Sequence, residues 1–153
     1  AALGNADFVC SKTAQSGELR RMICVDREGP IAYLETFKAR LLARRVTKFD
    51  ENNWWKWGRR HFVSDAPRIY VNQKTRRPRP FFLDACRNYD GAILALFPHR
   101  RDVDLARLRD MLNDVDWAEL GFVCDGRFLF AQRSLAQALL PEAFAPFAAR
   151  PLL

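Results

Sequence analysis

The sequence predicts an α+β fold: a mixed, mostly antiparallel sheet with two long helices and one short C-terminal helix. Three observations lead there. Short alternating runs cluster together instead of interleaving with helices, which disfavours a regular βαβ array. Asp125-Gly126 sits inside an apolar run, the pairing suited to a tight hairpin. Two stretches, 30–45 and 102–117, repeat apolar residues at helical spacing. At 153 residues, 49% hydrophobic and 28% charged, the chain is expected to be one globular domain, 1–153, with 142–153 as a C-terminal arm.

Each element has a local cause. Asp7-Phe-Val-Cys10 and 20–25 read as short strands around a polar turn, Ser11 to Glu18. Pro30 suits a first helical position, and Ile31, Leu34, Phe37 or Lys38, Leu41 and Leu42 share a stripe reaching about Arg45. Lys38, Arg40, Arg44 and Arg45 close that helix, where the macrodipole favours cations, so they have a structural use as well as a binding one. Residues 61–64 and 68–72 are further strands. Lys74 to Pro80 reads as a basic loop, because its prolines remove ladder donors. Residues 81–83 and 91–97 are strands; the second is apolar on both faces and is expected at the centre of the sheet. Asp102 to Trp117 is the second long helix, with Leu105, Leu108, Leu112 and Val115 on one stripe and Asp102 or Asp104 as N-cap. Phe122 to Phe130 is a hairpin about a type I′ turn. Ser134 opens the short helix, Gln137 completes a capping box, and Pro141 ends it.

The charge is unevenly placed. Residues 38–79 hold thirteen Lys/Arg against three Asp/Glu, whereas 1–37 hold four against five and 80–153 eight against ten. The net charge of +7 therefore comes wholly from the middle of the chain. Aromatic and amide groups interleave it: Trp54, Trp55, Trp57, His61, Phe62, Tyr70, Asn52, Asn53, Asn72 and Gln73. Clustered cations displace counterions from a phosphate backbone, and Asn, Gln and Arg pair with base edges. The pattern points to nucleic acid; a solvated basic face, an acidic protein or an anionic membrane are the alternatives. Pro67, Pro78, Pro80 and Gly58 rule out one continuous amphipathic helix across it. No apolar run approaches the ~18–20 residues that span a bilayer, so no membrane partner is expected. Cys10, Cys24, Cys86 and Cys124 lack close metal-site spacing, and residues 1–5 lack signal-peptide character; reduced thiols and a cytoplasmic location are the expectation.

Motifs for chemistry are scarce. The seven glycines are isolated, so neither a P-loop nor a dinucleotide fingerprint is present. His61 and His99 have no Cys or carboxylate at zinc-ligand spacing, and nothing pairs a cysteine with a histidine as nucleophile and base. Asp102, Asp104, Asp110, Asp114 and Asp116 suit helix capping and a solvated helix face. Asp84 and Asp90 leave a small metal-dependent nuclease open.

The order of these segments resembles a known family. Tyr33-Leu-Glu-x-Phe-Lys-x-Arg-Leu-Leu-x-Arg-Arg45, followed by Asn53-Trp-Trp-x-Trp-Gly-Arg59, is similar to the C-terminal specificity region of gamma-type adenine-specific DNA methyltransferases of restriction–modification systems. Pro67-Arg-Ile-Tyr70 looks like that region's Pro-Lys-Ile strand, and 127–135 with Leu140-Pro141 like its late block. The short motifs cover most of 31–141. The family's Phe-x-Gly-x-Gly turn for S-adenosylmethionine and its Asn/Asp-Pro-Pro-Tyr/Phe loop are not found, and Ser64-Asp-Ala-Pro67 is only a partial look-alike. The resemblance therefore implies a target-recognition part without cofactor or catalytic residues, joined in the parent protein to an N-terminal catalytic domain that binds S-adenosylmethionine.

Such enzymes extrude the target adenine, which calls for a clamp on flanking double-stranded DNA. Arg44, Arg45, Lys48, Lys56, Arg59 and Arg60 are the phosphate candidates. Asn53, Trp55, Gln73, Lys74, Arg76, Arg77 and Arg79 are the base or groove candidates. Trp54 and Trp57 are expected in the core, and Trp55 suits either the core or base stacking. These cations are expected on one exterior surface. An RNA or single-strand binding module, with tryptophans as stacking platforms, is the other binding class.

Overall fold

The computed structural model describes residues 5–23, 30–45, 48–57 and 64–147. The chain divides into two compact units: residues 1–7 with 21–63, and residues 8–20 with 64–153. Strands β1 (Asn5–Phe8) and β2 (Arg20–Ile23) pair with each other and flank the short helix α1 (Thr13–Ser16). Helices α2 (Ala32–Glu35) and α3 (Lys38–Leu42) follow. Then come β3 (Ile69–Asn72), β4 (Lys74–Thr75), β5 (Phe81–Phe82), β6 (Ile93–Leu96), α4 (Leu105–Asp114), β7 (Val123–Cys124), β8 (Arg127–Leu129) and α5 (Gln132–Ala136). A 3-10 helix, Glu142–Phe147, lies in the segment expected as an arm and buries Phe144. The fold is α+β with antiparallel sheets, as the clustered strand signals predict.

In the second unit β3 is central, between antiparallel β5 and β6. Its four residues are all buried. The pleat sends Ile69 and Val71 to one face, where they join Phe81, Leu108, Leu112, Trp117, Phe122, Phe130 and Phe144. Tyr70 goes to the other face with Val9 and Ile93, and its hydroxyl donates to the Cys86 carbonyl at 2.6 Å. Burial raises the Tyr70 phenol above its ordinary pKa. Helix α4 covers the first face. Its Asn113 side chain acts as a surrogate strand on the β5 edge, accepting from Phe81 N at 2.9 Å and donating to Phe81 O at 3.0 Å.

The second sheet has the order β4-β8-β7. Asp125 and Gly126 carry φ of 52° and 70° between β7 and β8, the two left-handed residues that a type I′ turn requires. Gln73 joins the two sheets: its N–H donates to Ala92 O at 3.0 Å, beside the β3–β6 ladder, and its carbonyl accepts from Phe130 N at 2.8 Å.

Several expectations are corrected. Among the described residues α4 is the single helix of seven or more residues; the predicted 30–45 helix is two pieces. The break falls at Thr36-Phe37, where Phe37 has φ −108° and ψ 8°. Tyr33, Thr36 and Phe37 are weak helix formers, and no residue of α2 or α3 is buried to hold one long helix together. Helix α4 keeps the predicted cap, Asp104 accepting from Arg107 N, but stops before Val115, which is extended. That turn carries Trp117 into the core, where its indole N–H donates to Leu112 O at 2.8 Å and satisfies a terminal carbonyl. Ser134 does not cap α5: Ala131 holds that position, and Ser134 Oγ donates back to its carbonyl. Strand β6 is an edge, not the centre. Lys74–Thr75, read as loop, pairs with β8 and leaves only 76–80 irregular. The predicted 61–64 strand lies mostly outside the described residues, and Ser64 is not in a strand.

Replacing Asn113 with Ala strips both backbone partners from Phe81. We expect a loss of about 2 kcal/mol in urea unfolding, against about 0.5 kcal/mol or less for the exposed Glu119→Ala.

Candidate nucleic-acid interface

The predicted cations fall into two sets, one in each unit. In the first unit Arg44 is a staple. Its Nε donates to Leu41 O at 2.9 Å, and its Nη2 donates to Trp54 O at 2.6 Å and Lys56 O at 2.8 Å. The guanidinium also lies 3.8 Å from the Phe49 ring centroid. Burial lowers its pKa from the ordinary value, although a guanidinium stays charged at any physiological pH. Arg44 thus shapes the 48–57 segment from within.

Asn53, predicted to read bases, is likewise used locally. Its Oδ1 accepts from Asp50 N at 2.7 Å, and its Nδ2 donates to Lys48 O at 3.4 Å. Trp54 is buried, as expected, and meets Trp55 edge to face at 5.8 Å. Trp57 is half-buried and donates its indole N–H to Ile23 O at 3.2 Å. Trp55 is also half-buried, with Lys56 Nζ 5.8 Å from its ring, and its indole N–H is buried without a partner among the described residues. Lys38 pairs with Glu51 at 2.5 Å, which raises its pKa. Arg45, Lys48 and Lys56 are exposed and join no ion pair among the described residues. Arg59 and Arg60 lie outside the described residues.

In the second unit Gln73, predicted to read bases, is half-buried and donates to Gly91 O at 2.9 Å. Lys74 is exposed on β4. Arg76 is exposed and donates to Asp125 O at 3.2 Å, which ties the 76–80 loop to the hairpin turn. Arg77 is half-buried, and its Nη1 is buried without a partner among the described residues. Arg79, predicted as a groove contact, pairs with Asp114 at 2.9 Å and Asp110 at 3.7 Å on α4. Arg109 first, and Arg79 after it, hold the Asp110 carboxyl below the ordinary aspartate pKa. The Arg79–Asp110 pairing therefore persists at neutral pH and is released only as pH falls below the ordinary aspartate range.

Sequence reasoning missed two arginines. Arg68 is 3% exposed and donates to the carbonyls of Ala66 (3.2 Å), Arg87 (2.8 Å) and Ser64, with Phe97 stacked at 4.8 Å. It braces the entry to β3; its place just before the Ile69-Tyr-Val71 run was the available signal. Arg127 on β8 is half-buried with its Nε unpartnered among the described residues. It lies far along the sequence from the basic block, and only the β4–β8 pairing reveals that they are neighbours.

The carboxylates considered for a nuclease hold backbone instead. Asp84 accepts from Cys86 N at 2.8 Å, and Asp90 accepts from Ala92 N at 2.9 Å and lies 3.7 Å from Arg20. Among the described residues no three His, Cys, Asp or Glu side chains gather as a metal site, and no helix is long and apolar enough to cross a membrane. No family model, curated protein or solved structure matches this chain.

Arg44→Met removes three hydrogen bonds to carbonyls while keeping an apolar stem over Phe49. We expect it to destabilise the first unit by about 1–3 kcal/mol, with faster amide exchange across 50–57. Arg45→Met should leave both measurements unchanged.

Proposed function

We propose that this chain binds double-stranded DNA as the target-recognition part of an adenine-specific DNA methyltransferase, in the cytoplasm. One observation carries the reading: the thirteen-to-three excess of Lys/Arg over Asp/Glu in residues 38–79. Arg45, Lys48, Lys56 and Lys74 support it, being exposed and outside any ion pair among the described residues. Each such cation placed on a phosphate releases counterions.

Arg45, Lys48 and Lys56, with Arg59 and Arg60, hold phosphates and set register. Lys74 on β4, with Arg76 and Arg77 in the loop leaving it, lies on the three-stranded sheet that also carries the β7–β8 hairpin. Trp55 offers a half-exposed ring beside the first set. Each set contributes to holding duplex that flanks an extruded adenine. Methyl transfer belongs to the parent protein's catalytic domain, where S-adenosylmethionine supplies the methyl group.

Two measurements test the reading. Arg45→Gln, Lys48→Gln and Lys56→Gln combined should leave thermal stability nearly unchanged and weaken duplex binding at low salt by tenfold or more. About six phosphate contacts should also cost roughly a thousandfold in affinity between 50 and 200 mM salt. Undiminished binding by the triple variant, a flat salt response, or a preference for single strands over duplex would each defeat it. Conversely, Asp110→Asn with Asp114→Asn frees Arg79 and removes two negative charges, so duplex affinity should rise several-fold at low salt.

A further inference from the structure

The β7–β8 hairpin carries a cation that the basic block does not include. Arg127 opens β8 directly after the turn, with Cys124 as its cross-strand partner. On the other side of β8, β4 pairs Lys74 with Leu129 and Thr75 with Phe128. That register, carried one residue further, sets Arg76 opposite Arg127, and Arg76 already reaches the turn carbonyl of Asp125. Lys74, Arg76, Arg77 and Arg127 thus gather on one small sheet and the loop leaving it.

Two donors in this cluster are dehydrated and idle. Arg77 Nη1 and Arg127 Nε are buried and make no hydrogen bond among the described residues. Among the described residues no carboxylate is ion-paired to Arg76, Arg77 or Arg127. Buried donors on charged groups call for an acceptor. Guanidinium forks match phosphate oxygens in direction and charge. A polyanion fits better than a lone carboxylate, because Lys74 on the same sheet and Arg76 in the loop leaving it are exposed and can meet adjoining phosphates.

We propose that Arg127 and Arg77 together grip one backbone phosphate of the bound nucleic acid beside the Asp125-Gly126 turn. This rests on the nucleic-acid reading above and moves Arg77 from base contact to phosphate contact. It makes the hairpin a docking element that sets register and leaves sequence reading to other side chains.

The test uses the whole chain and a short mixed-sequence DNA duplex. Arg127→Gln and Arg77→Gln should each lower affinity about tenfold or more and reduce the salt-dependence slope by about one. Arg133→Gln, an exposed cation on α5, should change neither much. A readout without mutation comes from Cys124, an exposed thiol across the ribbon from Arg127. Saturating duplex should slow its alkylation several-fold, followed by mass spectrometry of its own peptide. If the wild-type chain binds duplex but both variants match it and Cys124 is labelled at an unchanged rate, the phosphate grip is wrong while DNA binding stands. If the wild-type chain binds no duplex at all, the reading beneath falls and takes this inference with it.

Discussion

Burial of β3 on both faces organises the second unit. A strand with no exposed residue needs a neighbour on each edge and a cover on each side, and each demand is met by a different element. Phe81–Phe82 and Ile93–Leu96 supply the edges. Helix α4 and an aromatic cluster around Trp117 cover Ile69 and Val71, with rings of Phe81, Phe122 and Phe130 at 5.3–5.4 Å from the Trp117 ring. Val9, Leu19 and Tyr89 cover Tyr70. The strand cannot continue past Asn72 in the same sheet, because the carbonyl of Gln73 is claimed by Phe130 N. The chain is handed to a second sheet there, and this places Lys74 to Arg77 beside the β7–β8 turn. The position of the second set of cations follows from packing two residues upstream.

Arginine plays three roles in this chain, and they have different meanings for binding. Arg68 and Arg44 turn inward to backbone carbonyls, where five donors in a planar fork can join segments distant in sequence. Arg79 is paired with carboxylates of α4, and at the exposed surface such pairs contribute little to stability. Arg45, Lys48, Lys56, Lys74 and Arg76 stay open to solvent. A raw count of positive charge therefore overstates what a polyanion can use. The interior arginines still matter to an interface, since Arg44 holds the carbonyls of Trp54 and Lys56 and so presents the flanking lysines.

The elements most legible in sequence were those whose cause is local. The type I′ turn at Asp125-Gly126 needs two left-handed residues, and the Asp104 cap needs only an acceptor beside free N–H groups. The alternation of 68–72 likewise declares a strand, and 69–72 form it. The elements misread were those where a distant partner decides. Helical spacing in 30–45 was real, yet without buried contacts the weak formers around Thr36 divide it. Ser134 has the pattern of a capping box, but Phe130 is drawn into the core and the helix starts at once. Strand 91–97 looked central because it is apolar, whereas centrality depends on which strands flank it.

The same division holds for the candidate site. By itself the sequence determined the local turns, the α+β character and the concentration of cations in residues 38–79, because composition and short-range periodicity are properties of neighbouring residues. Only the tertiary structure decided which cations remain available. It turned Arg44 and Arg68 inward, paired Arg79 with α4, and brought Arg127 alongside Arg76 from fifty-one positions away. Those outcomes depend on strand register and on acceptors supplied by remote backbone, which no local pattern encodes.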